Sequence, residues 1–299
     1  MARPRIGLTV GDPAGIGPEV CARAARDARV VDVCAPVMYG PVSEDERAAY
    51  RSGTVSAEGG RVAFEAIRAA TADALAGRLD AITTAPINKA GWALAGLPWR
   101  GHTDLLAHLT GASPVAMMFH AEPLRVVLAT VHIPLSEVPR QLTRERLEHT
   151  IRLAHAELPW FGFSHPRLAV AGLNPHAGEH GLMGDEEERV VQPAVQASRD
   201  RGIDVSGPLP GDSVFVRALK GEFDAVVACY HDQGLIPVKL TAFGSAVNVT
   251  LGLPIVRTSV DHGTAYDIAG QGIADPTSMI QAVLLAARLA SARALVSHE

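Results

Sequence analysis

Short apolar runs that stop abruptly in polar or glycine-rich turns punctuate this chain, and the stretches between them carry helical periodicity. Residues 6–10, 33–39, 79–83, 167–173 and 224–230 read as buried strands. Residues 18–26, 61–76, 143–157, 186–199 and 276–295 read as helices. Thr143 stands where an N-cap belongs, and Asp275-Pro276 supplies a cap followed by a proline suited to the first helical position. The runs 115–119 and 125–133 flank the turn-like Ala121-Glu122-Pro123 and predict an antiparallel hairpin. Alternation of this kind specifies an α/β fold with a mostly parallel sheet, mixed where the hairpin lies. At 299 residues, 47% of them hydrophobic, the chain can bury one large core or two ordinary ones.

In open α/β sheets, ligands collect beyond the carboxyl ends of the strands. Polar clusters fall there repeatedly: Gly11-Asp12, Asn88-Lys89, His132, Asn174-Pro175-His176 and His231-Asp232-Gln233. The stretch HDQGLIPVK at 231–239 reads as a polar loop leaving a strand. His132, His176 and His231 each follow a predicted buried strand. Two readings stand side by side: three hydrogen-bonded structural histidines, or three imidazoles converging on a divalent metal with open positions for substrate oxygens. All-imidazole ligation favours Zn²⁺ over oxygen-loving Mg²⁺, with Asp232 as a further ligand or as a group orienting a histidine.

The turn GDPAGIGPE at 11–19 carries three glycines and a proline placed to open a helix. It is either a tight turn without a ligand or a place where backbone N–H groups meet an anion. No segment has the GxGxxG fingerprint with its downstream acid, so a bound dinucleotide needs another route. The irregular, glycine-containing stretch 261–276 before the last helix is the candidate, since loops of that length in compact domains tend to be functional.

A net charge of −5 with no Lys/Arg run offers nucleic acid nothing to bind, so each cation beside a motif becomes informative for an anionic substrate. Cys21, Cys34 and Cys229 have no metal-ligand spacing and suit a reducing cytoplasm. Asp12 and Pro13 interrupt the N-terminal apolar run before a signal-peptide core can form. The apolar stretch 279–289 is too short to span a membrane and carries Arg288. The expectation is a cytoplasmic, soluble protein.

The segments GDPAGIGPE, TAPINK (84–89), GHTD (101–104), GLNPHAGE (172–179), GPLPGD (207–212), YHDQGLIPVK (230–239) and NVTLGLPIVRTSVDHGTAYDIAG (248–270) resemble the 4-hydroxythreonine-4-phosphate dehydrogenase family of vitamin B6 (pyridoxine) biosynthesis. The resemblance runs in order from residue 6 to about residue 290. It implies an isocitrate/isopropylmalate dehydrogenase-like fold of two α/β/α domains with a cleft between them and mixed, mostly parallel sheets. Residues 1–100 with 250–299 would form one domain carrying the NAD loop, and 101–249 the other, carrying the metal ligands and the dimer interface. It further implies His132, His176 and His231 as metal ligands shared across a homodimer with the active site at its interface. Zn²⁺ is the first choice of metal, with Mg²⁺, Mn²⁺ or Co²⁺ as alternatives. His102, Thr103, Lys239, Asn248 and Arg257 match positions that contact the phosphorylated substrate. His262, Gly263, Thr264, Ala265, Asp267 and Asp275 lie in the loop that would hold NAD, or NADP instead.

The implied reaction is oxidation of the secondary alcohol of 4-phosphohydroxy-L-threonine to a β-keto acid, which decarboxylates to 3-amino-2-oxopropyl phosphate. Lys239 or Asp232 would relay the proton. Two departures from the family pattern, a short segment between Gly40 and Gly60 and Asp104 in place of the usual Glu, point to a paralogue acting on D-threonate or D-erythronate 4-phosphate as the alternative. A branch oxidising aromatic cis-dihydrodiol acids ranks lower, because the phosphate set is kept. A phosphate acyltransferase of related fold is the alternative from another class, and the three histidines and the DIAG loop speak against it.

Overall fold

A computed structural model describes residues 3–296. Ten strands appear in chain order: β1 (Arg5–Thr9), β2 (Ala35–Tyr39), β3 (Ala81–Thr84), β4 (Ala116–His120), β5 (Arg125–Leu128), β6 (Leu168–Ala171), β7 (Val205–Leu209), β8 (Ala225–Ala228), β9 (Val247–Leu251) and β10 (Arg257–Ser259). The chain divides into two compact units, Met1–Ser113 with Leu253–Glu299, and Pro114–Gly252. Residues 101–113, expected with the central segment, fall in the first unit, where the helix His102–Thr110 packs on the helix Ala57–Leu75.

In the first unit the strand order is β2-β1-β3-β10, all parallel. Ile6, Leu8 and Ile82 are fully buried in these strands, as a parallel sheet covered on both faces requires. Ser56 caps the helix Ala57–Leu75 by accepting from the Gly59 amide at 3.0 Å. Asn88 does the same for the helix Lys89–Leu94 through the Gly91 amide at 2.9 Å. The last helix, Thr277–Val296, begins where Asp275 accepts from the Thr277 amide at 2.9 Å. Its bounds fall within one residue of those the sequence predicts, and by length and composition it could cross a membrane. Instead it packs on β3, β10 and β1, with Met279, Ala282, Val283 and Ala286 completely buried. It is a core helix of its unit.

The second unit is a mixed sheet, β9-β4-β5-β8-β6-β7. The expected hairpin is present: β4 pairs antiparallel with β5 and with β9, while β5-β8-β6-β7 are mutually parallel. Val126, Val226, Ala169, Val214 and Val238 meet in its core. Thr143 caps the helix Arg144–Glu157 as its position predicts, accepting from the Arg146 amide at 3.2 Å.

HDQGLIPVK departs from expectation. It is the first three-quarters of a helix, His231–Ala242, with Pro237 inside it. Gly234 explains how this helix seats: a Cβ there would lie 2.7 Å from both Leu128 Cδ2 and Val126 Cγ1, so only glycine lets the helix lie against β5.

Candidate active site

The parallel pairing of β5 with β8 decides which residues meet. Leu128 stands opposite Ala228, and past that last pair the Ala129 amide donates to the Ala228 carbonyl at 2.9 Å. Thr130 Oγ1 then donates to the Cys229 carbonyl at 2.7 Å. The two chains therefore leave the sheet side by side, and His132 and His231 arrive with ring centroids 5.4 Å apart. Both edge a cleft of about 220 Å³ lined by residues 130–133, Leu135, Val138 and 230–232. His132 takes a left-handed backbone (φ 51°) to do so. For a non-glycine residue that conformation costs of order 1 kcal/mol, and such strain concentrates at functional sites. Asp232 Oδ1 lies 2.7 Å from His231 Nδ1, a contact that orients the ring and leaves Nε2 as the nitrogen not engaged by Asp232.

His176 follows β6, the other neighbour of β8, but it does not line this cleft. Among the described residues, no three His, Cys, Asp or Glu side chains are grouped to hold a metal ion. His176 sits in a turn with φ 53°, followed by Ala177 at 53°, Glu179 at 42° and His180 at 55°. Glu187, only 2% exposed, holds that turn down. Its carboxylate accepts from the Asn174 amide at 2.7 Å and from Asn174 Nδ2 at 2.9 Å. Gln233 ties the same region together: its Oε1 accepts from the Cys229 amide and its Nε2 donates to the Gly172 carbonyl, each at 2.7 Å. The sequence marks Gln233 only as part of a polar strand-end cluster and does not single out Glu187, since nothing in HDQG or in an acidic run distinguishes a clamp from a solvated side chain.

Helical geometry separates the two candidate proton carriers from their neighbours. Asp232 and Lys239, seven residues apart, share one face of the helix His231–Ala242, and both are exposed. On that side Ile236, Leu240 and Phe243 are 58%, 82% and 84% exposed. Asn248 lies on β9 with a buried Oδ1 that has no partner.

The first unit carries its own polar cluster. Arg257 on β10 is 2% exposed, donates to Thr84 Oγ1 at 2.7 Å, and is pushed by burial down to about 9. His102 opens the helix His102–Thr110, with Thr103 and Asp104 in its first turn. Burial, then the Arg257 and Lys89 charges, hold its imidazole well below the ordinary histidine range, against a hydrogen bond to the Ala85 backbone. The ring is therefore neutral near pH 7, and its buried Nε2 has no partner. A buried cation beside an unsatisfied imidazole is a place for an anionic, hydroxylated ligand. Residues 261–276 are irregular, as expected. His262 Nδ1 lies 3.0 Å from the Gly263 carbonyl, while its Nε2 is buried without a partner.

Residues 19–286 match the family model described as pyridoxal phosphate biosynthetic protein PdxA. The chain belongs to this family. A 4-hydroxythreonine-4-phosphate dehydrogenase of Desulforapulum autotrophicum is 44% identical over 323 residues, spanning 95% of this chain and 95% of the relative. A D-threonate 4-phosphate dehydrogenase of Pectobacterium atrosepticum is 42% identical over 322 residues, spanning 95% and 99%. The crystal structure of 4-hydroxythreonine-4-phosphate dehydrogenase from Klebsiella pneumoniae superposes with a TM-score of 0.85 at 42% identity, covering 96% of this chain and 99% of that one. A β-decarboxylating dehydrogenase from Thermococcus kodakarensis shares the fold at a TM-score of 0.54 and 18% identity.

Proposed function

We propose that this chain is an NAD-dependent, metal-dependent dehydrogenase that oxidises the secondary alcohol of 4-phosphohydroxy-L-threonine. The β-keto acid product loses CO₂ to leave 3-amino-2-oxopropyl phosphate. The observation that carries the reading is the meeting of His132 and His231 at the shared end of β5 and β8, in a chain of this family.

Two imidazoles with an orienting carboxylate suit a borderline ion such as Zn²⁺ better than Mg²⁺. One chain supplies two of the three histidines at one cleft, so His176 would come from a second copy. Ile236, Leu240 and Phe243, along the helix that His231 opens, and Leu182, six residues after His176 and 78% exposed, are apolar side chains that a homodimer would cover. A divalent cation held there supplies electrostatic stabilisation for negative charge developing on a substrate oxygen.

NAD⁺ supplies the hydride acceptor. The donor set of its candidate loop fits: with Nδ1 of His262 donating to a carbonyl, the buried Nε2 is an acceptor ready for an amino group such as that of adenine. Gly263 has open space beside it, and Thr264, Ala265, Asp267 and Asp275 complete the segment. Arg257, His102, Thr103, Lys239 and Asn248 bind the phosphorylated acid. In this set the neutral His102 accepts a hydrogen bond from substrate rather than donating one to phosphate. Lys239 or Asp232, on one face of the helix His231–Ala242, relays the hydroxyl proton. Three buried free thiols fit a cytoplasmic setting.

Oxidation of D-threonate 4-phosphate is the second reading, favoured by relatives of that name at nearly the same identity, 42% against 44%. Steady-state kcat/KM for both acids with NAD tests the assignment. A preference for 4-phosphohydroxy-L-threonine upholds the first reading, and a preference for D-threonate 4-phosphate replaces it with the second.

A further inference from the structure

We propose that Tyr266 is a positioning residue for the nucleotide cofactor, latching residues 261–276 to the buried carboxylate of Asp12. The inference deepens the NAD reading above and rests on it. Asp12 leaves the end of β1 and is 1% exposed. Its Oδ1 accepts from the Ala14 amide at 2.9 Å, which fixes the carboxylate within the first glycine turn. Its Oδ2 accepts from the Tyr266 hydroxyl at 2.8 Å, across 254 residues of sequence. The carboxylate is packed against the first turn of the helix Ala57–Leu75, since a Cβ at Gly59 would stand 3.2 Å from Oδ1. A helix N-terminus favours a negative charge there. The Asn88 side chain also bonds the Tyr266 hydroxyl, so GDPAGIG, TAPINK and the candidate cofactor loop converge on one phenol. Burial, with Asp12 beside it, pushes that phenol far above its ordinary range, and it remains a donor.

The loop needs such a latch because its backbone is strained and irregular. Ala265, next to Tyr266, has φ 42°, a conformation a non-glycine residue leaves unless held. Other anchors sit at the margins. The Ile16 amide donates to the Thr264 carbonyl at 3.0 Å, and Glu19 accepts from the Gly272 and Ala274 amides at 3.2 and 3.1 Å. Close contact is demanded there too: a Cβ at Gly15 would stand 2.9 Å from the Thr264 carbonyl oxygen. Between these anchors, Tyr266 holds the segment that carries Thr264, Ala265 and Asp267. Apparent affinity for the cofactor falls in proportion to the fraction of molecules in which that segment is in place.

The test is Tyr266→Phe, which removes one oxygen and keeps the ring. Amide hydrogen exchange over residues 261–276 is followed in the nucleotide-free enzyme, and NAD binding is measured by calorimetry alongside kcat and KM. Losing a hydrogen bond to a charged partner predicts roughly tenfold weaker NAD binding and faster exchange in the loop. The KM for NAD rises with it, while kcat at saturating NAD stays within about twofold. Asp12→Asn removes the charge and turns an N–H toward either the Ala14 amide or the Tyr266 hydroxyl, and predicts a change in the same direction. A Tyr266→Phe enzyme with wild-type exchange and wild-type NAD affinity overturns the latch. A wild-type enzyme that does not bind NAD overturns the proposed function instead, and loop exchange still decides whether Tyr266 holds the segment.

Discussion

Replacing Glu187 with Gln exposes how the turn bearing His176 is held. The carboxylate is 2% exposed and receives two donors from Asn174, its amide at 2.7 Å and its Nδ2 at 2.9 Å. Glutamine has the same shape, but one of its two terminal atoms is a donor. Whichever way the amide turns, one Asn174 N–H faces another N–H. The loss is one hydrogen bond to a charge plus one buried, unsatisfied donor, about 2–4 kcal/mol in all. Against that stands a turn already carrying four non-glycine residues with left-handed backbone, His176 among them. Relaxation of the turn is the cheapest response, and it moves His176. Glu187→Gln should therefore lower the melting temperature by several degrees, speed amide exchange over residues 174–184, and reduce the zinc bound per chain. Calorimetry, exchange mass spectrometry and metal analysis read the three effects separately. A variant with wild-type melting, exchange and zinc content would refute the clamp.

Three further outcomes follow from the same geometry. Arg257 is a buried cation whose charge burial disfavours, so Arg257→Gln should raise substrate KM at least about tenfold with little change in KM for NAD; an unchanged substrate KM counts against its phosphate role. Mixing His176→Ala with His231→Ala chains, each inactive alone, should restore about a quarter of wild-type activity, because half the dimers are mixed and each has one intact site; no recovery would mean the three histidines serve within one chain or not at all. Leu240→Asp, at a side chain 82% exposed, should leave the fold intact but shift the protein to monomers by light scattering, and a dimer unchanged by this substitution would place the interface elsewhere.

How much of this was legible beforehand differed by element. The hairpin, the caps at Thr143 and Asp275, and the histidines at strand ends were all readable, because alternation and capping are local signals. The helix His231–Ala242 was not, since Gly234 and Pro237 are poor helix formers, and the reason for Gly234 is a neighbouring strand. β9 and β10 were missed as short runs separated by Gly252-Leu253-Pro254. Glu187 lies in the run Asp185-Glu186-Glu187-Glu188, and only the fold reveals which of the four turns inward. Long-range partners such as Asp12 and Tyr266 leave no periodic trace at all.

NADH absorbance, followed when purified protein is given NAD⁺ and 4-phosphohydroxy-L-threonine before and after exhaustive metal removal and then with Zn²⁺ restored, decides whether the chain is a metal-dependent dehydrogenase of this acid. The expected result is NADH formation, its loss on chelation, its return with the metal, and no return in His132→Ala or His231→Ala. Undiminished NADH formation by the metal-free enzyme would contradict it.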